Sequence, residues 1–217
     1  MRLLFLLVLF PAAARAATVA IDVGHFIEEP GATSARGLTE FELNRELSVD
    51  IESAARGRGL KTLLIGYDGF MSQLTRRTAA AAGADFFLAV HHDSVQPYLI
   101  RTWEYDGVER RFNDDHSGFS LFVSRKNPAL RKSLACASLY HADAIPGENK
   151  PFADKKNGVH YYDNLIVLKT ARTPAVLLEA GVIVNRDEEM RMRSEEVRKR
   201  IANAVGLGLA HCLSKRF

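Results

Sequence analysis

Three apolar segments of this 217-residue chain end in side chains that could bind a metal ion or carry a proton. The segment "VAIDVGH" ends at His25, "FFLAVHH" ends at His91 and His92, and "PAVLLE" ends at Glu179. A buried strand has no use for such an ending, because an acidic side chain among apolar neighbours is costly without a partner. These residue types point to a metal centre, although hydrogen-bonded strand caps would also account for isolated histidines.

Two imidazoles and one carboxylate, with water in the fourth position, form the ligand set of a catalytic zinc site. Such a site also needs a carboxylate that does not bind the metal, to act as general base. We assign the ligand roles to His25, Glu40 and His91, and the role of the base to Glu179. Glu42 is a rival to Glu40, but it lies about 200° further around a helix. The chain has no HExxH motif, so the fold must bring these residues together.

The chain alternates between segments that predict strands and segments that predict helices. The strand segments are "TVAIDVG", "LKTLLIGY", "DFFLAVHH", "GFSLFVS", "NLIVLK" and "TPAVLLEAG". The helical segments are "TEFELNRELSVDIESAARGRG" with Thr39 as N-cap, "SQLTRRTAAAAGA" with Ser72 as N-cap, "NPALRKSLACASLYHADA", and a last helix from about Ser194 to Cys212. This alternation predicts one α/β domain of three layers, a largely parallel, twisted sheet flanked by helices on both faces.

The predicted sheet explains how residues far apart in sequence could form one site. In an open parallel sheet, ligands bind in the crevice outside the carboxyl ends of the strands. His25, His91 and Glu179 lie at such ends, so we expect them to meet there. Glu40 joins them from the first turn of the next helix if the loop from Phe26 to Leu38 folds back over the sheet.

Two segments follow neither pattern, from about Val95 to Ser117 and from about Ile145 to Asp163. Long loops in compact α/β domains are often lids or binding loops. Both carry aromatic and imidazole side chains that could pin the loops to the body or contact a ligand, namely Trp103, Tyr105, His116, His160, Tyr161 and Tyr162.

The first 16 residues predict a cleaved signal peptide, which leaves residues 17–217 as a single domain. The sequence "MRLLFLLVLFPAAARAA" combines an early arginine, an apolar run from Leu3 to Phe10 and small residues around a cleavage site. The run is too short to span a bilayer, so we expect an exported protein, periplasmic or secreted, that does not span the membrane. Loss of Arg2 and Arg15 lowers the formal charge from +3 to +1, which gives no electrostatic footprint for nucleic acid.

The chain has two cysteines, Cys136 and Cys212. Export permits a disulfide, but each cysteine lies in a predicted helix with apolar neighbours, so a bridge and two buried thiols are both open. Neither has the Cys/His spacing of a structural zinc site.

The motifs resemble those of the zinc-dependent N-acetylmuramoyl-L-alanine amidases of the Amidase_3 type. "IDVGH" is similar to the family's opening strand, and "LTRRTAAAAGADFF" to its arginine-containing helix. "GLTEFELN" is similar to its Glu-x-x-x-Asn helix start, "FLAVHHDS" to its third-ligand strand end, and "TPAVLLEAGVIVN" to its catalytic signature. The resemblance covers nearly all of the chain after the signal peptide and implies His25, Glu40 and His91 as zinc ligands. It also implies Asn44 as a companion of Glu40, and Glu179 as the catalytic carboxylate.

The family implies hydrolysis of the amide between the lactyl group of N-acetylmuramic acid and L-alanine of the stem peptide. One Zn²⁺ per chain would be the cofactor, and peptidoglycan or a muropeptide the substrate, in cell-wall remodelling or recycling. Zinc would lower the pKa of its water and polarise the scissile carbonyl, while Glu179 would transfer the proton to the leaving amine.

Two departures from the family pattern bear on the site. The usual His-Gly-Gly after the first strand is "HFIEEPG" here, so Phe26 and Ile27 could narrow the mouth and alter substrate preference. In "HHDS", His92 and Asp93 stand where the family commonly has Ala and Asn. Strand alternation sends His91 and His92 to opposite sides, so we expect His92 behind the ligands or at the surface.

Some members of the family carry an inserted helix that plugs the site, or separate wall-binding modules. We expect neither here and predict an enzyme that is not internally blocked; a protein activator is compatible with the sequence but not indicated by it. Two other functions stay open. One is a zinc amidase that acts on another amide; the other is a catalytically silent wall-binding protein or amidase regulator, for which a missing ligand or base would be the mark.

Overall fold

The computed structural model describes residues 15–142 and 158–215. Residues 1–14 of the predicted signal peptide and 145–157 of the second irregular segment lie outside these ranges. None of the helices in the described ranges is long and apolar enough to cross a membrane. In chain order the elements are β1 (Thr18–Val23), α1 (Glu40–Arg56), β2 (Lys61–Ile65), α2 (Leu74–Ala80), β3 (Phe86–Asp93), β4 (Arg101–Tyr105), β5 (Val108–Phe112), β6 (Ser120–Val123), α3 (Leu130–Ala142), β7 (Val159–Tyr161), α4 (Ile166–Thr170), β8 (Ala175–Val182), α5 (Arg186–Arg193) and α6 (Glu195–Ser214).

The main sheet has six strands in the order β2-β1-β3-β8-β6-β7. Strands β2, β1, β3 and β8 run parallel, β6 runs antiparallel to β8, and β7 is parallel to β6. Helices α1, α3 and α6 pack on one face of the sheet, and α4 and the end of α2 pack on the other. The predicted three-layer α/β fold with a largely parallel sheet is therefore confirmed.

The alternation of residues along β3 decides which side chains reach the end of the sheet. Its even-numbered residues up to Val90 pack towards α1 and α6, and its odd-numbered residues up to Ala89 pack towards α2 and α4. If the alternation continues to the end of β3, the side chain of His91 lies on the α2 side of the sheet and that of His92 on the α1 side.

Helix α1 begins at Glu40 because Thr39 caps it. The Thr39 hydroxyl accepts a hydrogen bond from the main-chain N–H of Glu42 at 3.3 Å, and the Glu42 carboxylate accepts one from the N–H of Thr39 at 2.8 Å. This reciprocal arrangement is a capping box, and the hydrogen bond from Thr39 lowers the pKa of Glu42. The carboxylate of Glu42 is thereby committed to the helix end, whereas Glu40 is free to face the sheet.

Two local predictions were wrong. The segment "NLIVLK", predicted as a strand, forms the helix α4, in which Val167 and Leu168 are buried. Periodicity alone cannot distinguish a helix from a strand in so short an apolar run. Ser72 does not cap α2; the N-cap is Gln73, whose side chain makes no capping hydrogen bond.

The two segments expected to be irregular both contain strands. The first, from Val95 to Ser117, contains the antiparallel hairpin β4–β5, and the second contains β7. Asp106 and Gly107 connect β4 to β5 with φ angles of 53° and 70°. These are the left-handed values that a type I′ turn requires, and an Asp-Gly pair between alternating apolar residues is a signal for such a turn.

A disulfide joins α3 to α6. Cys136 and Cys212 form it, with their Cα atoms 5.3 Å apart, within the usual span of a disulfide. The choice between a bridge and two buried thiols is therefore settled in favour of the bridge.

Candidate metal centre

Three side chains from three different elements converge outside the carboxyl ends of β1 and β3. Nε2 of His25 lies 3.1 Å from Oε2 of Glu40, and Nδ1 of His91 lies 3.0 Å from Oε1 of the same carboxylate. One ligand atom from each residue lies within 4.8 Å of the other two, the only such group of metal-binding side chains in the described ranges. The structure thus brings together the three residues that the sequence nominated as ligands.

The end of β1 is held in an unusual conformation by a buried arginine. His25 has a left-handed φ of 67°, which is uncommon for a residue other than glycine. Arg77, only 1% exposed, donates to the carbonyls of His25 at 2.5 Å and Met71 at 2.7 Å, and also to that of Val23. Its charge is balanced by Asp22 at 2.8 Å. Arg77 therefore fixes the backbone from which the His25 ring projects.

Two glycines let the ligands approach the backbone closely. A Cβ atom added at Gly24 would lie 2.4 Å from the ring of His91. One added at Gly31, whose φ is +81°, would lie 2.4 Å from Oε2 of Glu40 and 2.8 Å from Nε2 of His25. Any larger residue at either position would displace a ligand, so the chain is shaped around these three side chains.

A network of hydrogen bonds orients the carboxylate of Glu40. Oε1 accepts from the Asn44 amide at 3.3 Å and the His92 N–H at 3.4 Å, and Oε2 accepts from the Ala32 N–H at 3.1 Å. The Asn44 amide also donates to the Gly24 carbonyl at 3.2 Å. Three hydrogen-bond donors therefore orient the carboxylate that lies between the two histidine rings.

His92 supports this network from the opposite side of the sheet. Its Nδ1 lies 2.8 Å from Oδ1 of Asn44. Because the Asn44 amide group donates to Glu40, Oδ1 must accept, which assigns the proton to Nδ1 of His92. Burial lowers the pKa of His92 to about 4, so its ring is neutral at pH 7. His92 thus supports Glu40 and does not belong to the group of metal-binding side chains formed by His25, Glu40 and His91.

The carboxylate of the cluster is ionised, as a metal ligand must be, whereas the imidazole of His25 would have to lose its proton to a bound metal ion. Burial opposes the ionisation of Glu40, but the hydrogen bonds from His25 and His91 outweigh it and hold the pKa of Glu40 well below its usual range. Burial also opposes protonation of His25, yet the bond to Glu40 raises the pKa of His25. An ionised carboxylate between two imidazoles is a donor set that fits Zn²⁺, which takes nitrogen and oxygen ligands.

Glu179 lies next to this cluster with one oxygen unused. It is paired in register with His91 on the neighbouring parallel strand, so both side chains leave the same face of the sheet. Its Oε2 atom is buried and has no hydrogen-bond partner in the described part of the chain. Burial raises the pKa of Glu179 well above its usual value, and the nearby carboxylates of Glu40 and Asp93 add to the effect. Such a carboxyl group is suited to accept and release a proton.

The other candidate residues do not belong to the group formed by His25, Glu40 and His91. Nδ1 of His116 lies 2.9 Å from Oδ1 of Asn113, and the ring of His160 stacks on Phe122 at 5.2 Å between centroids. Ile27 is 53% exposed. No role was predicted for Arg77, although Asp22 within an apolar strand was a signal that a buried cation must lie nearby.

Comparisons with known proteins identify the family of this chain. A family model described as N-acetylmuramoyl-L-alanine amidase, Amidase_3, matches residues 19–211. The chain is 28% identical over 194 residues to the uncharacterized protein YqiI of Bacillus subtilis (strain 168), covering 88% of this chain and 82% of that one. It is 23% identical over 232 residues to a putative N-acetylmuramoyl-L-alanine amidase of Buchnera aphidicola subsp. Acyrthosiphon pisum (strain APS), covering 91% and 95%.

Solved structures of amidases share the fold. The catalytic domain of CwlV, an N-acetylmuramoyl-L-alanine amidase from Bacillus (Paenibacillus) polymyxa var. colistinus, has a TM-score of 0.74 at 24% identity, covering 92% of this chain and 99% of that one. The amidase Ami1 from Mycobacterium smegmatis has a TM-score of 0.76 at 19% identity, covering 92% and 98%. Since the family model spans most of its length, this chain belongs to the N-acetylmuramoyl-L-alanine amidase family.

Proposed function

We propose that this protein is a zinc-dependent N-acetylmuramoyl-L-alanine amidase. It hydrolyses the amide between the lactyl group of N-acetylmuramic acid and L-alanine in peptidoglycan or in muropeptides released from it. The observation that carries the proposal is the position of Glu179, whose unpaired Oε2 lies beside three convergent metal-binding side chains in a chain of this family.

His25, Glu40 and His91 are the residues that would hold one Zn²⁺ per chain. The bound ion would polarise the scissile carbonyl and lower the pKa of a water molecule. Other residues of the chain position the three metal-binding side chains. Arg77 fixes the backbone of His25, Asn44 and Ala32 orient the carboxylate of Glu40, and Gly24 leaves room for the ring of His91.

Glu179 is the proposed general base and acid. Hydrolysis adds a hydroxyl group to the lactyl carbonyl carbon and a proton to the L-alanine nitrogen, while the bond between them breaks. The free Oε2 of Glu179 is suited to take the proton from the attacking water and to pass it to the leaving nitrogen. A raised pKa helps, because it stabilises the protonated carboxyl between these two transfers.

We further propose that the protein acts outside the cytoplasm, with residues 1–16 as a cleaved signal peptide and residues 17–217 as the catalytic domain. The apolar N-terminal segment and the cell-wall substrate support this location. One relative with the same fold, the CwlD amidase of Clostridioides difficile, was solved in complex with the GerS lipoprotein. We propose that the present chain needs no activator. A silent wall-binding protein is the less favoured alternative, since no ligand or base is missing.

The decisive experiment uses residues 17–217, purified and loaded with Zn²⁺, on isolated peptidoglycan. We expect about one zinc per chain and the release of stem peptides with a free N-terminal alanine, measured by elemental analysis and mass spectrometry. His91→Ala should lose both zinc and activity, whereas His211→Ala, at an exposed position in the last turn of α6, should retain both. A zinc-loaded protein that releases no alanine terminus would refute amidase activity without an activator.

A further inference from the structure

A groove lies beside the candidate metal centre and is bordered by β5 of the hairpin β4–β5. It has a volume of about 700 Å³, and its lining includes Gly31, Ser34, Ser94, Ile100 and Arg110. Gly31 borders both the groove and the candidate metal centre, because a Cβ atom added there would lie 2.4 Å from Oε2 of Glu40. A groove of this size accommodates a ligand of a few residues. It therefore offers room for a part of the substrate that extends from the scissile bond.

Arg110 brings an uncompensated positive charge to this groove. Its guanidinium lies over Gly37, where a Cβ atom would come within 2.6 Å of Nη1. Its Nε atom is buried and has no hydrogen-bond partner in the part of the chain that the structure describes. A buried donor left unpaired destabilises the folded protein, because the hydrogen bond it made with water is not replaced. Such a group calls for an anionic ligand.

The neighbouring arginines differ from Arg110 in this respect. Arg36 pairs with Glu189 at 2.8 Å, Arg186 with Asp114 at 2.5 Å, and Arg101 with Asp115 at 3.1 Å, which are three ion pairs around the same hairpin. The chain thus supplies a carboxylate to each of these cations and none, among the described residues, to Arg110.

The hairpin that carries Arg110 is firmly attached to the body. Trp103, the cross-strand partner of Arg110, donates its indole N–H to the Ala35 carbonyl at 3.1 Å. The guanidinium groups of Arg36 and Arg186 lie 5.3 Å and 4.9 Å from the centroid of the Trp103 ring. The strand that carries Arg110 is therefore held in place before any ligand arrives, which reduces the entropy lost on binding.

Other charges at the groove do not cancel that of Arg110. Glu109 and Arg111 also line it, but both are exposed. Their side chains leave β5 on the face opposite to that of Arg110, since they are its sequence neighbours on a strand. Their opposite charges offset each other at longer range, so the net charge of this part of the groove is that of Arg110.

We propose that Arg110 binds a carboxylate of the stem peptide and that the groove holds the peptide side of the scissile amide. The inference rests on the proposed function, because it concerns the same substrate. In that substrate the lactyl carboxyl group is consumed in the amide, so the N-acetylmuramic acid side is uncharged and carboxylates occur only on the peptide side. A guanidinium matches a carboxylate with two parallel hydrogen bonds, which a lysine cannot reproduce.

The test compares two N-acetylmuramoyl-L-alanyl peptides of one sequence, one with free carboxylates and one with carboxamides in their place. Wild type should favour the acid form, and Arg110→Gln should lower kcat/KM for it about tenfold, mainly through KM. For the amide form the variant should stay within about twofold of wild type. Arg110→Lys should recover only part of the loss, and Lys61→Gln, an exposed cation beside Thr18 at the amino end of the sheet, should change nothing.

Equal losses on both peptides would make Arg110 merely structural, and equal rates of wild type on both would also overturn the inference. If wild type hydrolyses neither peptide, the proposed function fails, and the peptide subsite at Arg110 is tested by binding instead. Calorimetry then measures how tightly wild type and Arg110→Gln bind the free L-alanyl peptide, first in its acid form and then in its amide form. The subsite is supported if wild type binds the acid form more tightly and Arg110→Gln does not. It is refuted if wild type binds both forms equally.

Discussion

The guanidinium of Arg77 donates to the main-chain carbonyl of His25 at 2.5 Å and thereby holds a proposed metal ligand at a φ of 67°. Left-handed conformations of residues other than glycine cost about 1–3 kcal/mol and persist only where the surroundings impose them. Here the imposed turn redirects the chain at the end of β1 and presents the ring of His25 to Glu40. The proposed metal centre therefore depends on a residue that contacts none of its metal-binding atoms.

Replacement of Arg77 by lysine should weaken zinc binding about tenfold or more, as expected when a supporting hydrogen bond to a ligand is lost. A lysine ammonium cannot donate to the three carbonyls of His25, Val23 and Met71 while also pairing with Asp22. Competition with a zinc chelator would measure the affinity, and circular dichroism would verify the fold. Arg76→Lys is the matched control, because Arg76 is exposed. Unchanged affinity in a folded Arg77→Lys protein would contradict this role.

Replacement of Glu179 by glutamine should abolish proton transfer while leaving the metal centre intact. We expect a loss of about 10²–10⁴-fold in kcat, with one zinc retained, since general acid–base catalysis contributes this much. Burial raises the pKa of Glu179, so a neutral amide should be no less stable there. Single-turnover rates on a muropeptide, alongside elemental analysis, would separate the two effects. Near-normal turnover would remove Glu179 from the mechanism.

The sequence predicted the candidate site better than it predicted the loops around it. His25, His91 and Glu179 were each predicted at the end of an apolar strand. His25 does lie just after β1, whereas β3 and β8 continue past His91 and Glu179 to Asp93 and Val182. The carboxyl ends of parallel strands meet, so pattern and topology were still sufficient to bring the three residues together. The predicted N-cap, Thr39, likewise marked the start of α1 and hence the place of Glu40. These features are local, and periodicity reports local structure well.

The features that the sequence did not predict depend on contacts between distant segments. The short apolar run of α4 is helical because of what it packs against, and nothing within five residues reveals that. The closeness of Gly24 to His91 likewise exists only once β1 and β3 are paired. The hairpin β4–β5 is a different case, because its signal, Asp106 followed by Gly107, is local and can be read from the sequence.

Substitution of Gly24 by alanine should reduce zinc binding without unfolding the protein. The added methyl group would lie 2.4 Å from the His91 ring and would push it away from Glu40. Gly57→Ala is the control, because its added atom would meet its neighbours at an ordinary 3.5 Å and its φ is −60°. Zinc content after dialysis reports the result. Full zinc occupancy in Gly24→Ala would show that the ring has room to move.

Reduction of the disulfide should destabilise the domain without touching the metal centre. Cys136 and Cys212 are separated by 76 residues, and closing a loop of that length stabilises a protein by about 2–4 kcal/mol. Thermal unfolding with and without a thiol reductant should therefore give different midpoints. The double variant Cys136→Ala/Cys212→Ala should unfold at one temperature under both conditions. Two reactive thiols in the oxidised, denatured protein would exclude the bridge.

Glu188 should make the stability of the domain depend on pH in a direction unusual for a carboxylate. Its side chain is 3% exposed and accepts hydrogen bonds from the main-chain N–H groups of Gly118 at 2.9 Å and Val182 at 2.8 Å. Burial raises the pKa of Glu188 above 4.5, and these bonds, together with the charge of Arg191, only partly offset it. The folded state therefore binds the proton more tightly than the unfolded state, and this group's contribution to stability falls as pH rises above about 4.5.

The difference between wild type and Glu188→Gln isolates this contribution, because glutamine does not titrate and all other groups are shared. The lost charge and the misplaced amide near Gly118 add an offset that does not vary with pH. We expect the free energy of unfolding of wild type, relative to the variant, to decrease from pH 4.5 upwards and to level off above the folded-state pKa. Urea unfolding of both proteins in steps of pH would measure it. A difference that stays constant or increases would mean that the bonds from Gly118 and Val182 outweigh burial.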